Sequence, residues 1–413
     1  MSVDTAALSI RPARSERLRL ILALGALVAL GPLTVDMYLP ALPAIVDDLH
    51  TTEPLVQLTL TGTLLGLGLG QLVIGPFSDA VGRRPPLIIG TGLHVITSVL
   101  SVFAWDITVL GVLRTVQGIG AAAATVVAMA VVRDLFEGRA AATVISRLML
   151  VMGAAPVLAP SLGSAVLIAG SWRWVFGALA LLGVVLIVVA AYGLPETLPP
   201  RRRRSGGVRQ VLGAYRSILG DAEFVILALV AGLGFGAVFA YISGSAFVLQ
   251  QQYGLDQQEF GLAFGLGALA LVGGTQLNPV LLGRSGPGGI VFCGLAAATT
   301  AGLVLTVLQT AHIGGLAGFV VPLFCMLAAV ALVLPNTPAL ALSRHGEAAG
   351  TAAAVLGALQ FGLGSLLAPV VGVLGNDGPA TAITMTGSIA IALLAFSALA
   401  LRGRRTLAPQ DAD

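Results

Sequence analysis

The first long apolar stretch of the chain reads LRLILALGALVALGPLTVDMYLPAL over residues 18–42, and its only charged residues are Arg19 and Asp36. A helix needs about 20 mostly apolar residues to cross the hydrocarbon core of a bilayer. The stretch is too long for the apolar region of a cleaved signal peptide, and no Ala-x-Ala cleavage site follows it. We therefore predict that it forms a transmembrane helix, the first of several.

The composition of the chain favours a polytopic membrane protein. Of its 413 residues 57% are hydrophobic and 10% are charged, whereas a soluble domain carries about 25% charged residues. Apolar runs of spanning length recur throughout, which predicts an all-α integral membrane fold with twelve transmembrane helices in two six-helix bundles. The predicted spans cover residues 18–42, 55–76, 85–104, 107–131, 142–168, 173–194, 222–249, 259–282, 287–309, 313–337, 348–372 and 381–401.

The residues that the chain lacks exclude several kinds of chemistry. It has no lysine, so all 22 basic residues are arginine. A Walker A loop requires a lysine on the nucleotide phosphates, which excludes ATPases of that class, and Schiff-base chemistry is excluded for the same reason. Cys293 and Cys325 both lie in apolar runs and predict neither a disulfide framework nor a metal site. With no Ser/His/Asp or phosphate-binding constellation visible, we expect no enzyme activity and no cofactor.

The distribution of charge predicts how the chain crosses the membrane. Arginine marks cytoplasmic connections, and here it lies almost entirely on even-numbered connections and the terminal segments, which predicts a multi-pass protein of the cell membrane with both termini in the cytoplasm. The arginines in question are Arg11, Arg14, Arg17, Arg19, Arg83, Arg84, Arg133, Arg139, Arg201–Arg204, Arg209, Arg216, Arg284, Arg344, Arg402, Arg404 and Arg405. The odd-numbered connections hold Asp47, Asp48, Glu53, Asp106, Asp256, Glu259 and Asp377, with Arg173 as the exception.

The longest connection divides the chain into halves. It predicts an N-terminal domain over residues 1–194, a cytoplasmic linker over 195–221 and a C-terminal domain over 222–413. The four arginines Arg201–Arg204 are most simply a solvated determinant of topology, and binding of anionic lipid head groups is the alternative. A repeat supports the division, because Gly153, Leu158-Ala159-Pro160 and Gly163 recur as Gly362, Leu367-Ala368-Pro369 and Gly372. Duplicated halves are typical of transporters.

Asp36 and Arg114 lie within predicted spans, where ionisable residues are costly and usually functional. A carboxyl group shielded from water could bind and release a proton, and movement of helices could switch its pairing with a nearby arginine on and off. The alternatives are a static buried Asp–Arg pair, or an Asp36 near the outer surface that caps a turn before Pro40. His94 and His312 are expected near membrane edges, and we assign them no role.

The connection after span two is a candidate conformational latch. It contains Gly75, Asp79, Gly82, Arg83 and Arg84. Asp79 is expected just past the helix end, Gly82 permits a tight turn, and the arginines could join neighbouring spans through charge pairs. The plainer alternative is a positively charged cytoplasmic loop without a latch.

Small and helix-breaking residues suggest further mechanical features. Glycine stripes at 62, 66 and 70 in span two and at 261, 265 and 267 in span eight allow close helix packing, which is either static or a surface on which the halves rock. Gly153, Pro156, Pro160 and Gly163 should bend span five. Other candidates for a cavity lining, each also explicable by packing or interhelical hydrogen bonding, are Tyr38, Gln117, Tyr241, Ser245, Asn336 and Gln360.

Taken together, these motifs resemble the major facilitator superfamily, and within it the drug:proton antiporters of the Bcr/CflA type. Residues 75–84 are similar to the signature between spans two and three, apart from Ala80, where a basic residue is common. Arg114-x-x-Gln117-Gly118 is similar to the span-four motif of proton-driven members. Residues 153–163 resemble the antiporter motif, and residues 33–40 resemble the span-one motif of this exporter group. In the C-terminal half the likeness is weaker: it rests on residues 241–245 and 350–352, and the second loop motif at Arg284 is degraded.

The resemblance implies two six-helix domains around a central cavity, alternating access, and efflux driven by inward proton flow. Asp36 and Arg114 would be the coupling and substrate-facing groups, and Asp79, Arg83 and Arg84 the latch. The subfamily exports chloramphenicol-like, bicyclic and sulfonamide compounds and small amino-acid metabolites.

The leading hypothesis is thus a monomeric, proton-coupled exporter of drugs or small amphipathic metabolites, whose partners are its substrate, protons and the lipid bilayer, with no nucleic acid. An importer or facilitator of a sugar or organic acid is one alternative, against which the antiporter-type span five argues. A non-transporting membrane sensor or scaffold is another.

Overall fold

The computed structural model describes residues 14–136, 138–168, 170–203, 208–345 and 348–406. Within these ranges twelve helical segments are long and apolar enough to cross a membrane, which confirms the predicted number. The α-helices are α1 Arg14–Asp36, α2 Leu42–Asp48, α3 Glu53–Val81, α4 Arg84–Val102, α5 Ile107–Leu135, α6 Gly138–Ile168, α7 Arg173–Gly193, α8 Val208–Leu219, α9 Ala222–Phe247, α10 Gln257–Leu282, α11 Pro287–Thr310, α12 Gly315–Ser343, α13 Ala349–Leu374 and α14 Gly378–Thr406.

The first span is interrupted, which the sequence did not predict. Helix α1 ends at Asp36, a short 3₁₀ turn covers Leu39–Ala41, and α2 continues to Asp48. Proline supplies no backbone N–H and disfavours a helical residue before it, and Pro32, Pro40 and Pro43 all lie in this segment. The first span therefore extends beyond residue 42, its predicted end. The break lies in the middle of the span, where backbone groups lose their helical partners.

The helices form two groups. Helices α1–α7 pack chiefly on one another, and so do α9–α14, so we call these groups the N-lobe and the C-lobe. The lobes meet where α3 lies against α13 and where α6 lies against α10. The repeated segments found in the sequence are α6 and α13, and each of them contributes to one of these two contacts.

Glycine allows close approach both within and between the lobes. A methyl group on Gly66 would collide with the backbone of α5 at Thr115 and Ile119, so the stripe at 62, 66 and 70 packs inside the N-lobe and is not a surface between the halves. Gly68, on another face of α3, lies against Ala358 and Phe361 of α13. In α10 the stripe divides, because Gly261 and Gly265 face α6 whereas Gly267 faces Tyr241 inside the C-lobe.

Hydrogen bonds join the lobes at the end of the bundle that carries the acidic connections. Gln57 Nε2 donates to Ser243 O (3.2 Å) and to Asn376 Oδ1 (2.5 Å), and the amide of Asn376 donates to Glu53. Ser164 Oγ donates to Gln257 O at 2.6 Å. A cavity of about 520 Å³ opens beside these contacts. The lobes are therefore tied together at this end.

The predicted linker over residues 195–221 contains a helix, α8, which the sequence did not predict. Helix α8 carries Arg209 and Arg216, and its Tyr215 hydroxyl donates to Leu72 O of α3 at 2.7 Å. Ile218 is buried, whereas Leu212 and Leu219 are exposed. The linker thus contacts the N-lobe directly.

Candidate functional site

Arg114 lies fully buried at the centre of the N-lobe. Its Nη1 donates to Thr34 O at 3.0 Å and to Gln117 Oε1 at 2.6 Å. Its guanidinium carbon lies 4.5 Å from the centre of the Tyr38 ring and 5.6 Å from that of Phe176, within the range of a cation–π interaction. Arg114, on α5, therefore contacts two positions of the first span, Gln117 of its own helix and Phe176 of α7.

The break in the first span explains why the positive charge of Arg114 is stabilising at the end of α1. The last carbonyl groups of a helix have no partners within it, and they carry the negative end of the helix dipole. Thr34 lies in the last turn of α1, and its carbonyl accepts the bond from Arg114. Arg114 thus caps α1 inside the membrane, while its Nε and Nη2 have no hydrogen-bond partner.

His94 belongs to the same network, so the expectation that it lies near a membrane edge is wrong. It is fully buried in the middle of α4, and its Nε2 lies 2.9 Å from Thr34 Oγ1. His94 lies in the middle of the predicted span 85–104, and this central position is the signal in the sequence that should have indicated burial at depth. Its backbone carbonyl accepts a hydrogen bond from Ser98 Oγ, which in turn accepts one from Gln117 Nε2.

Tyr38 completes the network on the other side of the break. Its ring is buried beneath Arg114, and its hydroxyl lies 2.9 Å from Thr59 Oγ1. Because Thr59 donates its own proton to Val56 O at 2.6 Å, the Tyr38 hydroxyl is the donor. The side chain of Tyr38 is therefore fixed to α3.

Asp36 is the acid at the break, and it is 3% exposed. Its Oδ1 is buried without a hydrogen-bond partner, so it does not cap a turn, and no ion pair joins it to Arg114 in this structure. The turn that follows Asp36 contacts α9 and α10 of the C-lobe, and on α9 the buried hydroxyl of Tyr241 also lacks a partner. Each lobe thus has a buried polar group without a partner on an element at the lobe boundary.

Span five contacts the break directly. A methyl group on Gly163 would collide with the carbonyl of Met37, so glycine is needed for α6 to pass beside the residue that follows Asp36. Pro156 and Pro160 both lie inside α6, which is one continuous helix. Gly153 lies beside Val272 of α10.

The remaining cavity candidates are dispersed in the C-lobe. The Tyr241 ring stacks on Phe264, with centroids 5.2 Å apart, and Ser245 Oγ donates to Ile242 O of its own helix. Asn336 Nδ2 donates to Asn278 Oδ1 at 2.5 Å. Gln360 is half-buried. Of these, Tyr241 and Ser245 lie on α9, which contacts the turn at the break.

A second cluster surrounds Arg83, where the sequence predicted a latch. Arg83 binds Asp134 of α5 through Nε (2.7 Å) and Nη2 (3.2 Å), and Asp79 through Nη1 (2.5 Å). Asp79 was expected just past the end of the helix, but it lies in the last turn of α3. Asp134 was missed, although it follows Arg133 at the same end of span four.

Glu196, in the segment after α7, is the last member of this cluster. Its carboxylate accepts the backbone N–H groups of Arg83, Arg84 and Leu198. Burial opposes ionisation of Glu196, but these three bonds and the charge of Arg203 outweigh it and hold its pKa below the usual value. Gly82 adopts φ 108°, which favours glycine. The Arg84 side chain donates to Ala191 O, whereas a methyl group added to Gly75 would meet open space.

The fold and these motifs agree with comparisons to known proteins. The family model described as Major Facilitator Superfamily matches residues 24–369, and the chain belongs to that superfamily of membrane transporters. An uncharacterised major-facilitator-type transporter of Bacillus subtilis, YdgK, is 38% identical over 95% of this chain and 96% of its own length. A bicyclomycin resistance protein homolog of Haemophilus influenzae is 28% identical over 94% and 97%. The relationship to a resistance protein is consistent with the Bcr/CflA-type assignment.

Solved structures support the fold. The xylose transporter XylE from E. coli, in a partially occluded inward-open conformation, superposes with a TM-score of 0.72 at 14% identity, over 92% of this chain and 97% of that one.

Among the described residues, no group of three or more His, Cys, Asp or Glu side chains could hold a metal ion.

Proposed function

We propose that the protein is a proton-coupled exporter of small amphipathic compounds that works by alternating access, with Asp36 as the group that carries the proton. One observation carries the proposal: Asp36 lies in a break of the first span, buried where the lobes approach, with a carboxyl oxygen that has no partner. An ionised carboxylate without partners is very costly away from water. A change in the contact between the lobes would therefore change the free energy of its ionisation.

In this mechanism Asp36 takes up a proton when the passage opens to the acidic side and releases it when the passage opens to the other. Arg114 holds α1 in place and supplies a fixed positive charge that does not titrate with Asp36. Tyr241, whose buried hydroxyl has no partner, is the C-lobe side chain that we propose contacts the substrate. Rocking of the lobes would separate α6 from α10 and α3 from α13 in turn.

Two features support export over import. The glycine of the antiporter-type motif, Gly163, packs on Met37 beside the proposed proton site. The bicyclomycin resistance homolog is named for protection from a toxic compound, and we propose substrates of that size and polarity. We further propose that the protein is a monomer. We also propose that both termini lie in the cytoplasm, because the arginines lie at the end of the bundle opposite the acidic connections.

The test uses an exporter-deficient host and everted membrane vesicles. A panel that includes bicyclomycin, chloramphenicol and a sulfonamide identifies a compound to which the protein confers resistance. That compound should accumulate in everted vesicles when their interior is acid. Asp36→Asn should abolish accumulation driven by the pH gradient, whereas Asp47→Asn, an exposed acid farther along the same span, should not.

The outcomes separate the alternatives. Accumulation that proceeds equally in Asp36→Asn would remove Asp36 from the coupling. Substrate that leaves acid-loaded everted vesicles would indicate an importer or facilitator. No compound-dependent flux and no resistance across the panel would favour a sensor or scaffold.

A further inference from the structure

His94 is a buried titratable residue that the proposed mechanism does not use. It lies where four helices of the N-lobe meet: α4 carries it, Thr34 of α1 contacts its Nε2, and its Nδ1 faces Gly183 of α7. On α5, Gly120 packs against its backbone so closely that a methyl group there would lie 2.7 Å from His94 N. The backbone of His94 is therefore packed closely against α5, and its ring lies between α1 and α7.

The hydrogen bonds determine which ring nitrogen carries the proton. Thr34 Oγ1 lies 2.6 Å from Leu30 O, and a carbonyl oxygen can only accept, so the hydroxyl proton of Thr34 points to Leu30. The contact between Thr34 and His94 is then a bond in which His94 Nε2–H donates to Thr34 Oγ1. The imidazole Nδ1 has no partner, which is consistent with a neutral ring protonated at Nε2.

Thr34 is therefore held from two directions. Its side chain accepts a bond from His94, and its carbonyl accepts a bond from Arg114. It lies two residues before Asp36, at the end of a helix that Pro32 has already weakened, since proline cannot donate the backbone bond of its turn. A helix end without such partners would fray, and the position of Asp36 would vary with it.

We propose that neutral His94 is a positioning residue, which with Arg114 fixes the end of α1 so that Asp36 stays at the lobe boundary. This inference rests on the proposed role of Asp36 in proton coupling. His94 itself neither carries the proton nor contacts the substrate. Its contribution passes through Thr34, and a side chain with an N–H donor at a similar distance can replace it.

The experiment measures hydrogen–deuterium exchange of the full-length protein in lipid nanodiscs, without substrate. The variants are His94→Leu, which removes the donor, Thr34→Val, which removes the acceptor, the double variant, and His94→Gln, which keeps a side-chain N–H. His312→Asn is the matched control, because His312 lies in the exposed turn between α11 and α12. The reporting amides are those of Met37 and Ala41, whose partners are Leu33 O and Tyr38 O.

Loss of one buried hydrogen bond should raise exchange of the peptide that spans residues 33–42 roughly tenfold in His94→Leu and in Thr34→Val. The double variant should be no worse than the single ones, because both remove the same bond. His94→Gln should restore protection to within about threefold of the wild type, and peptides from α5 should be unchanged in all variants.

Unchanged exchange of residues 33–42 in Thr34→Val overturns the proposal even if His94→Leu does not fold. Equal loosening of α5 also overturns it, because that result indicates a general packing role. With a transported compound in hand, His94→Leu should lower the maximal rate with little change in KM, and His94→Gln should restore the rate. If the wild type transports nothing, the proposed function fails, but the exchange data still decide whether His94 holds α1.

Discussion

The Arg83 cluster allows the strongest stability prediction, because its two carboxylates differ in burial. The side chains of Arg83 and Asp134 are 9% and 16% exposed, whereas Asp79 is 45% exposed. Breaking a fully buried pair costs about 3–5 kcal/mol, and an exposed pair contributes about 0.2–1 kcal/mol. The contribution of each acid should therefore follow its burial.

We expect Asp134→Asn to destabilise the N-lobe by about 2 kcal/mol, because asparagine keeps one acceptor but loses the charge and one of two hydrogen bonds to Arg83. Thr197 Oγ1 also donates to Asp134, at 2.9 Å, which adds to the loss. Asp79→Asn should cost about 0.5 kcal/mol, because water screens that side chain. The two substitutions change the same chemistry around the same arginine, so each is the control for the other.

The assay is equilibrium unfolding in mixed micelles, followed by tryptophan fluorescence. At about 1.4 kcal/mol per factor of ten, Asp134→Asn should raise the unfolded-to-folded ratio about thirtyfold and Asp79→Asn about twofold. A larger effect from Asp79→Asn would refute the argument from burial. It would show that the latch depends on a contact of Asp79 that this conformation does not contain.

Three further predictions concern packing, the linker and pH. Gly66→Ala should destabilise the bundle by about 3 kcal/mol, since overpacking in a close contact costs 1–3 kcal/mol or more, whereas Gly92→Ala, which has open space around it, should be neutral in the same assay. Tyr215→Phe should release α8 from α3 at a cost of about 1 kcal/mol, measured as about fivefold faster trypsin cleavage in the arginine-rich linker; an unchanged rate would exclude an anchoring role. The hydrogen bond from Arg344 holds the pKa of Asp221 below its usual value, so this pair stabilises the fold above about pH 4 and is lost as pH falls through that lowered pKa. Thermal unfolding between pH 6 and pH 3 should show this loss, and Asp221→Asn should remove that part of the pH dependence.

The sequence predicted the helices well because their signal is local. Each span is a run of apolar residues that needs no partner to be recognised, and the arginines separate the two ends of the bundle by composition alone. It also grouped Asp79 and Arg83 in one candidate latch, and in the structure these two side chains form an ion pair. The more buried partner of Arg83, Asp134, comes from a helix about fifty residues further along, and nothing local to Arg83 or Asp134 indicates that contact.

The break in the first span shows where local signals end. Three prolines in residues 32–43 indicated an irregular segment, but not that it would divide the span at Asp36. Asp36 and Arg114 were expected to form a switching pair because they are the two deep charges. The structure instead places Arg114 against the end of α1 and the Tyr38 ring, and Asp36 before a turn that contacts α9 of the other lobe.

By itself, the amino-acid sequence determined that this protein resides in a membrane, that it crosses it twelve times, and that few polar residues lie at depth. Those properties follow from the cost of exposing polar groups to lipid, which each segment bears independently. Only the tertiary structure decided which polar groups meet. Contacts such as His94 with Thr34, or Asp134 with Arg83, depend on how helices distant in the sequence pack, and close packing is a property of the whole bundle.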